Sequence, residues 1–156
     1  SLEDFADYDA VLIVFTCNHC PYAKAKFDAM KRLHERFDDL AVVAINPNDA
    51  EEYPEDSFDR MKEFVKEHGI GYYYLRDESQ EVAEAYGAVC TPDPFLFRNT
   101  DDGLRLAYHG RFDDALNPDD EPSVFYMEQA VEAILEGEEV DLEFLPSQGC
   151  SIKWTE

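Results

Sequence analysis

Basic residues are scarce in this chain. Thirteen Lys and Arg stand against 36 Asp and Glu, a formal net charge of −23, and nothing resembles the basic patch of a nucleic-acid binder. Nucleic acid is therefore excluded as a partner. Long apolar runs are missing too: none approaches the ~20 residues that cross a bilayer, so a membrane is excluded as well. Cysteine is sparse, with four residues in 156, too few for a disulfide-stapled secreted scaffold. Neither Pro nor Gly gathers into a linker, and no period of 20–50 residues repeats. The reading is one domain over residues 1–156, with 138–156 as a C-terminal tail. No basic n-region precedes a signal-type apolar segment, so the expected location is cytoplasmic. The chain begins at Ser1, which leaves open a targeting segment that was trimmed away.

The acids are dispersed (Asp38, Asp39, Glu51, Glu52, Asp101, Asp102, Asp113, Asp114, Asp119, Asp120) and form no single tail. Dispersed acids read as a solvated surface rather than a docking face. At molar salt the Debye length falls to about 3 Å and screens their mutual repulsion. A halophilic source is the expectation; the alternative is an acidic mesophilic protein.

What is present is chemistry at one turn. The apolar run Val11–Phe15 leads into Thr16-Cys17-Asn18-His19-Cys20-Pro21-Tyr22 and then into helical periodicity. A strand that turns through Cys-x-x-Cys into a helix puts two thiols where backbone N–H groups and the helix dipole favour negative charge. Disulfide exchange needs one accessible thiolate and one nearby resolving thiol. Cys17, at the helix mouth, is expected to be the nucleophile. Cys20, a turn deeper and more shielded, is expected to be the resolver. The alternative for the pair is half of a zinc site, but no second Cys-x-x-Cys or His-x-His accompanies it. No metal and no cofactor is expected.

Along the chain, Phe5 and Tyr8 are expected to pack onto the edge of the fold. Val11–Phe15 and Leu40–Ile45 read as strands buried on both faces. Between them Phe27, Met30, Leu33, His34 and Phe37 recur at helical steps, predicting one helix from Pro21 to Phe37. This strand–helix–strand order implies a parallel pair. Ser57 caps a helix stopped at His68-Gly69. Tyr72–Leu75 is a third strand, and Ser79–Tyr86 is a short helix ended by Gly87. Phe95–Phe97 and Leu104–Tyr108 flank a hairpin turn, and Phe125–Leu135 is the last helix. The predicted class is α/β, a mixed sheet with helices on both faces.

The chain resembles the thioredoxin-fold superfamily, specifically thioredoxin-like proteins of the redoxin (alkyl hydroperoxide reductase/thiol-specific antioxidant) group. Three features carry the resemblance. They are Cys17-Asn18-His19-Cys20 between strand and helix, Thr91-Pro92 followed by Phe95-Leu96-Phe97, and Gly149-Cys150-Ser151-Ile152-Lys153-Trp154 near the end. It implies a thioredoxin-like fold in which Pro92 is cis and faces the Cys pair, and an antioxidant or thiol–disulfide oxidoreductase activity. The implied partners are protein or small-molecule disulfides and thiols, with a reductase or reduced thiol as electron donor. Relatives carry an N-terminal β-hairpin ahead of the segment resembling Ser1–Phe5. None precedes it here, and a trimmed N-terminus is the expectation. Thioredoxin also has a Trp before its first Cys and a buried Asp on the preceding strand; Thr16 and an acid-free Val11–Phe15 stand in their place.

His19 occupies the position of His in the Cys-Gly-His-Cys motif of protein disulfide isomerases. There it would stabilise the Cys17 thiolate, within a general pKa range of roughly 3.5–7.5 for activated cysteines, and make the couple more oxidising than thioredoxin's. The alternative is a solvent-facing helix residue. Cys90, two residues before Pro92, is either a third redox partner, a metal ligand or a small buried hydrophobe. Cys150 resolves a Cys17 intermediate, bonds Cys90 or stays a thiol. Trp154 is assigned to anchoring the tail. Arg111 either stabilises an anion or makes a surface ion pair, and His34, His68 and His109 read as structural or exposed.

Three functions compete: a thiol–disulfide oxidoreductase, a peroxiredoxin-like peroxidase, and a redox-silent or metal-binding adaptor. The peroxidase motif Pro-x-x-x-Thr-x-x-Cys would need Pro at position 10 and Thr at 14, where the chain has Ala10 and Val14.

Overall fold

Ala10–Phe15 (β1) forms the middle of a sheet because all six of its residues are apolar and all six are buried. The computed structural model describes residues 5, 7–18, 20–88, 90–115, 119–140 and 150–154. On one side β1 pairs in parallel with Leu40–Asn46 (β2), Leu12 opposite Val42. On the other it pairs antiparallel with Asp93–Thr100 (β5), Ile13 opposite Phe95. Tyr73–Arg76 (β3) adds to β2, and Gly103–His109 (β6) adds to β5. The spatial order is β3-β2-β1-β5-β6, the mixed sheet that the sequence predicts.

Alternation along β1 sends its side chains into two layers. Ala10, Leu12 and Val14 meet Phe27, Met30 and Leu33 of the helix Phe27–Arg36 (α2), together with Met127, Ala130, Val131 and Ile134 of Tyr126–Leu135 (α5). Val11, Ile13 and Phe15 face the opposite layer, with Ala83 of Glu81–Tyr86 (α4), Phe5, Phe95 and Ile152. Each fully buried Leu, Val or Phe contributes about 1.5–3 kcal/mol relative to exposure. The helix Phe58–His68 (α3) packs Phe64 and Val65 against the first layer. Its Ser57 cap accepts the Arg60 amide, and Gly69 closes it at φ 60°. Phe5 sets its ring 5.3 Å from that of Tyr73 on the edge strand β3.

Two local expectations are corrected. The single helix from Pro21 to Phe37 is two pieces, Pro21–Lys24 (α1) and α2. The break falls where the Lys26 amide bonds Ala23 O, a tighter three-residue step. There Lys26 Nζ is drawn to Asp113 Oδ1 at 2.6 Å and to the Ala115 carbonyl at 2.7 Å.

The tail is the second. Cys150–Ser151 (β7) pairs antiparallel with Cys90–Thr91 (β4), making a separate two-stranded sheet. Its anchor is Ile152, 3% exposed, whereas Trp154 is 40% exposed. Ile152 enters the layer with β1, whereas the indole, two residues on, lies beyond Lys153, whose amide and carbonyl are hydrogen-bonded to the domain. Among the described residues no helix is long and apolar enough to cross a membrane.

Candidate redox site

Cys17 follows β1 by one residue beyond Thr16, and Cys20 is the N-cap of α1. Both are 0% exposed and cluster with Ala23 and Tyr22. The open helix mouth expected for Cys17 is thus a packed one. The helix behind it is a single turn before the break at Lys26, so the aligned peptide dipoles next to the thiols are few. Cys17 and Cys90 are thiols, whereas Cys20 is disulfide-bonded. The Cys-x-x-Cys pair is therefore not joined to itself in this state.

Thr91 meets both sulfurs. Its Oγ1 lies 3.3 Å from Cys17 Sγ, and its carbonyl oxygen lies 3.7 Å from Cys20 Sγ. A disulfide sulfur has no proton to donate, so the second approach is a packing contact. The Thr91–Pro92 peptide bond is cis. Thr91 is brought here because β5 begins at Asp93, opposite Phe15 at the end of β1. Pro94 sits in the second position of β5, opposite Val14.

A buried polar network holds the other side of the turn. Asp56, 0% exposed on the 3₁₀ turn Pro54–Asp56, accepts the Asn18 amide on Oδ1 at 2.6 Å. It also accepts Asn46 Nδ2 at 3.3 Å and, on Oδ2, Asn48 Nδ2 at 3.1 Å. Tyr74 donates its hydroxyl to Asn18 Oδ1 at 2.7 Å. Burial, followed by the nearby Cys17 and Asp56, pushes the Tyr74 phenol well above its ordinary value of 10. Tyr74 therefore remains a donor throughout the working pH range. An amide that the sequence offered to the Cys17 sulfur is thus taken by a carboxylate.

Asp93, 5% exposed directly after the cis-proline, pairs with His109 Nε2 at 2.6 Å, and His109 stacks on Phe95 at 3.9 Å. Cys90 Sγ lies 3.7 Å from the Pro92 carbonyl. Burial, and then the Asp93 carboxylate, raise its thiol to about 11. Of the sequence-predicted residues Thr91 touches the Cys pair; Cys90 and Pro92 are its chain neighbours, Cys150 is its partner in the strand register, and His19 lies outside the described residues. The Arg111 carbonyl accepts the Tyr108 hydroxyl at 2.9 Å. Among the described residues no cluster of His, Cys, Asp and Glu could hold a metal ion. A cavity of about 290 Å³ between α2 and α5 has no cysteine in its wall.

The sequence reading missed Asp56, Asn46, Asn48, Tyr74 and Asp93. One signal was present for two of them. Asn46 ends and Asn48 follows an otherwise apolar strand, at the carboxyl end of the sheet where open α/β folds place their sites.

A mixed α/β sheet with two cysteines at the carboxyl end of its central strand, touching the residue that precedes a cis-proline, defines a thioredoxin-like fold. The AhpC/TSA family matches residues 1–105, and the chain belongs to it. A hypothetical protein from Sinorhizobium meliloti 1021 is 44% identical, with a TM-score of 0.91, over 99% of this chain and 84% of that one. A thioredoxin-like protein solved in its oxidized form is 20% identical, with a TM-score of 0.68, over 89% and 86% of the two chains. A secreted Mycobacterium tuberculosis disulfide oxidoreductase is 16% identical, with a TM-score of 0.52, over 63% and 67%. No curated protein matches the chain.

Proposed function

We propose that this protein is a thiol–disulfide oxidoreductase acting on protein or small-molecule disulfides. In this reading Cys17 attacks the substrate disulfide and Cys20 resolves the mixed disulfide. A reductase or reduced thiol restores the pair. The observation that carries the reading is the placement of both sulfurs against Thr91, next to the cis Pro92, at 3.3 and 3.7 Å. Family membership and the disulfide oxidoreductase among the similar folds support the same reading. The proposed setting is a reducing cytoplasm of high salt, in which a surface of charge −23 is screened.

The test is run in molar KCl. Reduced protein is expected to clear insulin disulfides and to leave hydrogen peroxide unconsumed. Peroxide turnover abolished by Cys17→Ser, with the insulin assay blank, would replace this reading with a peroxidase. Stoichiometric zinc that blocks alkylation of Cys17 and Cys20 would replace it with a metal-binding adaptor.

A further inference from the structure

The tail enters the redox site by its backbone. In the β4–β7 register Cys150 stands opposite Thr91, the residue that meets both Cys17 and Cys20. The strand is held in that register from its far end. The Lys153 amide donates to Asn48 Oδ1 at 2.9 Å, and the Lys153 carbonyl accepts the Asp49 amide at 2.8 Å and Gln80 Nε2 at 2.9 Å. Ile152 is buried between these two attachments. An independent observation points to the same place. Cys20 is disulfide-bonded while Cys17 and Cys90 are thiols, in a chain with four cysteines.

We propose that Cys150 is the third redox cysteine of the site and that oxidation comes to rest as a Cys20–Cys150 bond, with Cys17 returned to the thiol form. The inference rests on the oxidoreductase reading above and deepens it. Cys17 thiolate attacks a substrate disulfide, forming a mixed disulfide and releasing one substrate thiolate. Cys20 thiolate then attacks the Cys17 sulfur, forming Cys17–Cys20 and releasing the second. At this point two electrons have passed from the enzyme pair to the substrate. Cys150 thiolate next attacks Cys20 Sγ; the Cys20–Cys150 bond forms as the Cys17–Cys20 bond breaks, and Cys17 leaves as thiolate. This last step conserves the number of disulfides and needs no further oxidant. A thiol donor closes the cycle by reducing Cys20–Cys150. The tethered Cys150 acts at the high effective concentration of an intramolecular group.

The full chain, fully reduced, is mixed in molar KCl with one equivalent of 5,5′-dithiobis(2-nitrobenzoate) as the probe disulfide. Samples are quenched in acid, alkylated and mapped by mass spectrometry without reduction. Two equivalents of nitrothiobenzoate are expected per chain, with Cys17–Cys20 appearing first and Cys20–Cys150 accumulating after it as Cys17 becomes alkylatable again. Cys150→Ser is expected to stop at Cys17–Cys20, with alkylation of Cys17 reduced at least tenfold. The wild-type time course decides the question even if that variant fails to fold. A wild-type end product mapped as Cys17–Cys20 overturns the relay and leaves the oxidoreductase reading standing. So does a Cys20–Cys150 bond that persists in the folded protein under excess dithiothreitol, which would make it a structural crosslink. No nitrothiobenzoate release from reduced wild type removes the oxidoreductase reading, and the relay with it.

Discussion

Asp56 and Asn18 lie 38 residues apart in sequence, and the buried Asp56 carboxylate accepts the Asn18 amide at 2.6 Å. Together with the Asn18 side-chain amide, which donates to the Glu55 carbonyl at 3.0 Å, this contact fixes the backbone between the two cysteines to the turn that precedes α3. Asp56→Ala removes the carboxylate acceptor of the Asn18 backbone amide and the Asn48 side-chain amide, and one of the two acceptors of the Asn46 side-chain amide. A buried donor left unsatisfied costs about 1–3 kcal/mol, so urea unfolding is expected to show a loss of about 3 kcal/mol or more. Asp56→Asn, which keeps the shape and one acceptor oxygen, is expected to lose less.

The Thr91 hydroxyl 3.3 Å from Cys17 Sγ is positioned to donate to a thiolate. Thr91→Val keeps the side-chain volume and removes that donor. A hydrogen bond to a charged group contributes about 1.5–3 kcal/mol, so alkylation of reduced Cys17 at pH 7 is expected to slow about tenfold. An unchanged rate would assign the hydroxyl proton to another acceptor.

Cys90 is expected to be the inert thiol of the site. Burial and Asp93 raise it to about 11, and a raised thiol pKa means that the neutral, unreactive form persists to higher pH. At pH 8 its alkylation is expected to be about a hundredfold slower than in the unfolded chain, where the group titrates near its ordinary value. The gap should close as the pH rises from 9 through 11. Iodoacetamide labelling followed by mass spectrometry at stepped pH gives the profile. Asp93→Asn should bring it to lower pH.

Lys26 and Asp113 form an ion pair whose carboxylate is 3% exposed. Lys26→Met leaves that carboxylate buried without its cation, and breaking a buried pair from one side costs about 3–5 kcal/mol. Lys26→Met/Asp113→Asn should recover part of the loss in the same denaturation experiment. Exposed pairs such as Arg60–Glu63, at 2.9 Å, should each be worth less than about 1 kcal/mol.

The central strands were legible because a run such as Val11–Phe15 has no polar face to misplace, and the two buried layers follow from its alternation. The Cys pair was legible because strand, spacing and helix coincide within seven residues. The break at Lys26 was not legible, because the helical periodicity continues across it and the carboxylate that pairs with Lys26 lies 87 residues away. Asp56 was hidden among dispersed acids: a buried carboxylate and a solvated one have the same letter, and only the three amides gathered on it mark the difference. The pairing of Cys150 with Thr91 was equally hidden, since a two-residue strand has no period.

The hydrogen bond from the Lys153 amide to Asn48 spans 105 residues of sequence. Closing so large a loop is entropically slow and comes after local structure has formed. On the ribosome the sheet from β1 to β6 is synthesised before residue 150 exists, and N-terminal elements fold as they emerge. A nascent chain therefore carries Cys17 and Cys20 before the strand that closes over Thr91 has been made, and the site is complete only once residues 150–153 have been synthesised.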